Sequence, residues 1–363
     1  MKKISWWYTE IGDAEKANVI TAFDKKRFSM GEIVYELEQK IAKILNIPYV
    51  VLTNSGTSAL TMALLAVDIK PGDEVIVPAM TWIATAQAAA LLGAKVVLVD
   101  CLPDVPLINP KEVENKVTKS TKVIIPVHLN GRACNLEVLK SIAQDVNAYL
   151  IEDTCKAMFS KHNTKYLGTF GHMGCFSMGM ISMLSVGYGG FVVTGDKKTY
   201  KKLCLIRDHG VVRQPEKYEC LGFNFKISDI LASIGLAQLD RLNNRIKHVH
   251  TIYNSYKKGL LSHKKIKILP VDVSSGAVPL YTEVYTEYRE EIISFLKAHN
   301  VETSQFHLSL QQATYLENHG DYPNASNFAN RCFIVPSGTS QPLSHIDFCI
   351  DLICQWNRRM ENI

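Results

Sequence analysis

From Glu32 to Leu45 the apolar residues Val34, Leu37, Ile41 and Ile44 recur every three or four positions, which gathers them on one face of a helix. The next apolar run, Tyr49-Val50-Val51-Leu52, is short and unbroken, as in a strand covered on both faces. The exchange then repeats along the chain. Helical spacing over 58–67, 82–92 and 136–146 alternates with strand patterns over 74–78, 95–100, 122–127 and 149–153. Such alternation predicts βαβ crossovers and an α/β fold with a mostly parallel sheet covered by helices. Apolar stretches at 175–178 and 190–194 bring that sheet to seven strands.

A long helical tract over 227–256 then leads into a looser region. Strands are expected at 266–269 and 280–285, a helix at 289–299 and a last helix at 345–358. This reads as a smaller C-terminal α+β domain. The expected division is a large domain over 1–245, including the N-terminal segment, and a small one over 246–363. No internal repeat, low-complexity stretch or Gly/Ser linker interrupts either part.

Composition adds little except exclusions. A chain of 363 residues, 47% hydrophobic and 21% charged, has the balance of a compact globular enzyme. The net charge of +5 comes from 40 basic against 35 acidic residues, and its clusters, Lys25-Lys26-Arg27 and Lys264-Lys265, read as solvated faces rather than a nucleic-acid surface. Nine cysteines contain no CxxC pair, so neither a zinc site nor a dithiol redox centre is indicated. The N-terminal MKKISWWYTEIGDAEK turns polar at once, and no apolar run approaches the ~20 residues of a membrane span. The expected location is the cytoplasm.

Four segments carry candidate chemistry. Asn54-Ser55-Gly56-Thr57-Ser58 follows a strand and opens a helix, where backbone N–H groups and hydroxyls meet a phosphate, or where a serine merely caps the helix. Ile151-Glu152-Asp153 ends an apolar strand in two carboxylates. In open α/β sheets ligands bind at that end of the strands, so an acid there can face a cofactor, or it can cap the next turn. Ser177 precedes a glycine-rich turn, Gly187-Tyr188-Gly189-Gly190, suited to a second phosphate contact or to a tight β connection. The fourth, Gly222-Phe223-Asn224-Phe225-Lys226, stands before the long helical tract.

Taken in this order, the blocks NSGTSAL, PGDEVIVPAMTWIATAQAAALLGA, IIPVHLNG, IEDTCKA, GTFGHMGCFS, GYGGFVVTGD and GFNFKISDILASIGLAQLDRL resemble the DegT/StrS family of sugar aminotransferases. The resemblance is close over about 5–260 and looser beyond. It implies a fold-type-I transferase that uses pyridoxal phosphate, acts on nucleotide-linked keto-sugars and takes nitrogen from glutamate or glutamine. It further implies that Gly56, Thr57 and Ser177 hold the phosphate, that Trp82 stacks on the pyridine ring and that Asp153 pairs with the ring nitrogen. Asn224 would reach the cofactor of a neighbouring subunit, which makes the expected protein a homodimer.

The departures matter as much. Where the family places its Schiff-base lysine this chain has Ser182, and no lysine occurs between Lys165 and Lys197. A hydroxyl cannot condense with an aldehyde and is a poor base for a proton shift. The cofactor, as pyridoxal or pyridoxamine phosphate, is therefore expected to be held noncovalently. Lys156 replaces the glutamine or histidine usual near the cofactor's phenolic oxygen and is a candidate substitute base, or a cation that offsets phosphate charge. His307 falls where relatives line the sugar pocket and is either a substrate contact or a structural imidazole. The leading expectation is a sugar aminotransferase-like protein. The alternatives are a dehydratase-like enzyme using the amine form and a catalytically silent homologue that binds ligand or partner.

Overall fold

The computed structural model describes residues 3–26, 28–316 and 320–361, so Arg27 of the first basic cluster lies outside the described residues. Two helices open the chain, α1 (Asp13–Asp24) and α2 (Glu32–Leu45). The large domain then alternates as expected: β1 (Tyr49–Thr53), α3 (Gly56–Ala66), β2 (Glu74–Pro78), α4 (Ala84–Ala90), β3 (Lys95–Val99), α5 (Pro110–Lys116), β4 (Thr121–Ile124), α6 (Leu136–Asp145) and β5 (Tyr149–Asp153). A small hairpin, β6 (Lys161–His162) and β7 (Lys165–Tyr166), precedes β8 (Met173–Ser177), β9 (Gly190–Thr194) and α7 (Lys197–Arg207). A second hairpin, β10 (Val211–Arg213) and β11 (Glu216–Tyr218), leads to α8 (Asp229–Leu239) and α9 (Leu242–Gly259).

The seven-stranded sheet has the order β1-β9-β8-β5-β4-β2-β3. The pairs from β8 to β3 are parallel, whereas β9 runs antiparallel to both β8 and β1. Strand β1 therefore points the same way as β5 and β8, and their carboxyl ends share one edge. That edge receives Asp153 from β5, Ser177 from β8 and the loop from β1 into α3. Five of the nine cysteines are buried in and around the core, none is exposed, and all are free thiols.

Two expectations from the pattern change here. The tract over 227–256 is two helices, not one, and the chain turns at Asp240 and Arg241, where Arg241 forms ion pairs with Glu10 and Glu15. The helix expected from Trp82 starts two residues later, which leaves Trp82 in the preceding loop.

Helix α9 packs in two cores: Leu242 and Val249 lie in the larger, while Ile252 and Tyr256 lie in the smaller. The small domain holds a four-stranded antiparallel sheet, β12 (Lys267–Ile268), β13 (Thr282–Tyr285), β14 (Ser304–Gln305) and β15 (Cys332–Val335), in the order β12-β13-β15-β14. Helices α10 (Arg289–Ala298), α11 (Pro323–Arg331) and α12 (Leu343–Glu361) accompany it. Ile4 bridges Val301 and is buried in the core that also holds Ile292 and Leu296 of α10 and Ile353 of α12.

Candidate functional site

A cleft of about 770 Å³ opens at the strand-end edge and is closed on one side by the segment after β14. Gly56, Thr57 and Ser177 line it together, as do Trp82, Asp153 and Lys156 from the large domain and His307 from the small one.

One part of the cleft is a cradle of backbone and hydroxyls. Ser55 caps α3 by accepting from the Ser58 N–H at 3.0 Å, which leaves the first N–H groups of the helix free of intrahelical partners. The cap and the open helix end thus coexist. A Cβ at Gly56 would stand 2.8 Å from Ser177 Cβ and 3.0 Å from Cys155 Sγ, so only glycine fits between α3 and β8. The Ser177 hydroxyl accepts from the Gly179 N–H at 3.2 Å and keeps its own proton for another acceptor. Helix dipole, open N–H groups and hydroxyls suit a phosphate.

Asp153 is 4% exposed, yet it lines the cleft. Thr85 Oγ1 donates to its Oδ2 at 2.8 Å, and the Cys155 N–H donates to its Oδ1 at 3.0 Å. Its neighbour Glu152 faces the other way and accepts from the N–H groups of Gly168, Phe170 and Gly171 and shares a 2.9 Å hydrogen bond with His128. The paired carboxylates therefore divide: Glu152 folds the loop, and Asp153 serves the cleft.

Trp82 is 61% exposed, and its ring centre lies 5.9 Å from that of His307. The Nε2 of His307 is buried without a protein partner. Burial, then the charge of Lys156, hold this imidazole down to about 4. Lys156 is partly buried, and its ammonium donates to the Ile181 carbonyl at 2.9 Å. Burial lowers its pKa, against the opposing pull of Cys155 and Asp153.

Ser182 and Asn224 are not among the residues that line this cleft, and Asn224 was expected to serve a neighbouring subunit rather than its own. Ser182 is 2% exposed with an unpartnered hydroxyl, and Ile181 rather than Ser182 forms the cleft wall. Asn224 is exposed outside this cleft, its carbonyl accepting from Asn54 Nδ2 at 3.4 Å. Thr85 and Cys155, which also line the cleft, were not singled out by the sequence pattern, whereas Tyr188 belongs to the glycine-rich turn that was. Thr85 sits three residues past Trp82, and its N–H donates to the Trp82 carbonyl at 3.2 Å as the loop turns into α4.

The fold and cleft define a fold-type-I transferase scaffold with a binding place for a phosphorylated pyridine ring. The family model of the DegT/DnrJ/EryC1/StrS aminotransferase family matches residues 9–351, and this chain belongs to that family. GDP-perosamine synthase of Escherichia coli O157:H7 is 32% identical over 93% of this chain and 94% of its own. The dTDP-3-amino-3,4,6-trideoxy-alpha-D-glucose transaminase of Streptomyces venezuelae is 30% identical over 98% and 95% of the two chains. Among solved structures, DesV of S. venezuelae in complex with a ketimine intermediate superposes with a TM-score of 0.91 at 27% identity, covering 98% of this chain and 99% of that one. The chain is a sugar aminotransferase-like protein whose cofactor is pyridoxal or pyridoxamine phosphate.

Proposed function

We propose that this protein binds a nucleotide-linked keto-sugar beside its cofactor and exchanges a carbonyl oxygen for an amine in carbohydrate biosynthesis. The observation that carries the reading is Asp153, a carboxylate held by Thr85 and the Cys155 N–H in the wall of an open cleft. A carboxylate so fixed keeps a proton on a pyridine nitrogen. The protonated ring supplies an electron sink for charge that develops beside the transferred nitrogen.

The residues of this chain do the rest. Gly56, Thr57 and Ser177 would hold the phosphate, and the exposed Trp82 indole would cover the ring. Ser182 stands where the family resemblance puts the Schiff-base lysine, so the grip does not depend on a bond from position 182. Lys156 takes the part of base, and its depressed pKa makes the neutral amine more accessible near pH 7. His307 offers its unpartnered Nε2 to the sugar. The GDP- and dTDP-sugar names of the relatives support the substrate class.

The working unit in this reading is a homodimer with glutamate as amino donor. Leu221 and Phe223, 68% and 60% exposed beside Asn224, are apolar surface that a second copy would cover, bringing Asn224 to the partner's phosphate. No helix among the described residues is long and apolar enough to cross a membrane. Free thiols support a reducing compartment, and the cytoplasm is the proposed location.

The test loads purified protein with pyridoxamine phosphate and adds GDP- and dTDP-linked 4-keto-6-deoxy-sugars, followed by mass spectrometry of the nucleotide sugar. Replacement of the carbonyl oxygen by an amino group supports the reading. Loss of a hydroxyl instead identifies a dehydratase. A sugar that binds but leaves with its mass unchanged would identify a silent homologue.

A further inference from the structure

The cleft contains one primary amine. Among the described residues no lysine other than Lys156 lines it, and no carboxylate lies within ion-pair distance of its ammonium. Its hydrogen bond goes instead to the Ile181 carbonyl, 2.9 Å away, on the residue just before Ser182. Lys156 therefore projects from the turn after β5 toward the segment that holds Ser182. Lys156 lines the same cleft as His307, and its charge adds to burial in holding that imidazole neutral. A surface lysine that merely offset phosphate charge would be solvated. This one is partly buried with its ammonium bound to a backbone carbonyl, and burial favours its neutral, nucleophilic form.

We propose that Lys156 is the residue that captures the aldehyde form of the cofactor covalently, the amine having moved from position 182 to position 156. The inference rests on the cofactor reading above and deepens it. In the capture step the Nζ lone pair attacks the aldehyde carbon, a C=N bond forms, and the carbonyl oxygen leaves as water with the two protons the amine carried. No oxidant or reductant takes part. The neutral residue at 182 belongs to the same arrangement. Ser182 is buried immediately behind Ile181, so a second ammonium there would share one poorly solvated space with the first. Like charges so placed disfavour each other, and a small uncharged side chain avoids that conflict.

The test uses the full chain with pyridoxal phosphate, reduction by borohydride and mapping of labelled peptides by mass spectrometry. One phosphopyridoxyl group is expected on the peptide that contains Lys156, and none when pyridoxamine phosphate, which has no aldehyde, replaces it. The Lys156→Arg variant keeps the charge but cannot condense, so it loses the label while tryptophan quenching still reports saturable cofactor binding. In a Lys156→Gln background, Ser182→Lys is expected to move the label to position 182. Saturable binding without a label at 156, or labels scattered over surface lysines, overturns the inference and leaves the cofactor reading standing. No binding at all overturns both.

Discussion

Thr85, on the first turn of α4, donates a 2.8 Å hydrogen bond to the Oδ2 of Asp153, 68 residues further along the chain at the end of β5. Thr81 continues the chain, its hydroxyl 3.1 Å from that of Thr85. The carboxylate is therefore aimed by a neighbouring strand-to-helix connection as well as by its own.

Thr85→Val keeps the shape and removes the donor to Asp153. Hydrogen bonds to charged groups contribute about 1.5–3 kcal/mol to stability, so the variant should lose roughly that much, read as a lower denaturant midpoint, and pyridoxamine phosphate should bind more weakly to the carboxylate left less firmly aimed. Titration of tryptophan fluorescence checks this. Affinity equal to wild type would mean that the Asp153 orientation is fixed by other contacts.

Arg132, just beyond β4, donates to the Glu283 carboxylate on β13 and to the Pro270 carbonyl at 2.7 Å, joining the two domains through a pair that is 5% and 1% exposed. Arg132→Met leaves a buried carboxylate without its cation. The expected cost is about 3–5 kcal/mol of stability, read as a lower denaturant midpoint. A variant that also carries Glu283→Leu should recover much of the loss, because no charge then remains buried unpaired.

His307 is held down to about 4 in the folded chain against an ordinary 6.5, by burial first and by Lys156 second. Between those values the unfolded chain binds a proton that the folded chain refuses. Stability from this group is complete above 6.5 and drains away as pH falls toward 4. His307→Phe should flatten the stability curve in that window, as measured by chemical denaturation across a pH series. Parallel curves for the two proteins would show that another group controls the acid limb.

Much of this molecule was legible in its pattern. Strands 74–78, 149–153 and 190–194 and helix α2 fall where the apolar spacing put them, because each buries its apolar positions in the large core. Helix α1 was not foreseen. Only Glu15 and Ala22 of it are buried, so it carries no apolar stripe and is held by its packing on α8 and by the Arg241 ion pair to Glu15. Helix α7 is similar, with Leu203, Ile206 and Arg207 as its buried residues. The turn between α8 and α9 lacks proline or glycine, and the tertiary pairing of Arg241 marks it.

The sequence by itself determined which side chains can do chemistry: a strand-end carboxylate at 153, small residues at 55–57, a serine at 177, a lysine at 156 and a serine, not a lysine, at 182. Only the tertiary structure decided which of them meet. The antiparallel insertion of β9 turns β1 to run with β5 and β8, and that orientation brings three distant loops to one edge. It also set Ser182 behind the cleft wall while Lys156, which lines the cleft, donates to the Ile181 carbonyl in that wall. Local pattern records what each segment buries, but which segments share a space depends on sheet order and strand direction, which are settled by the packing of the whole chain.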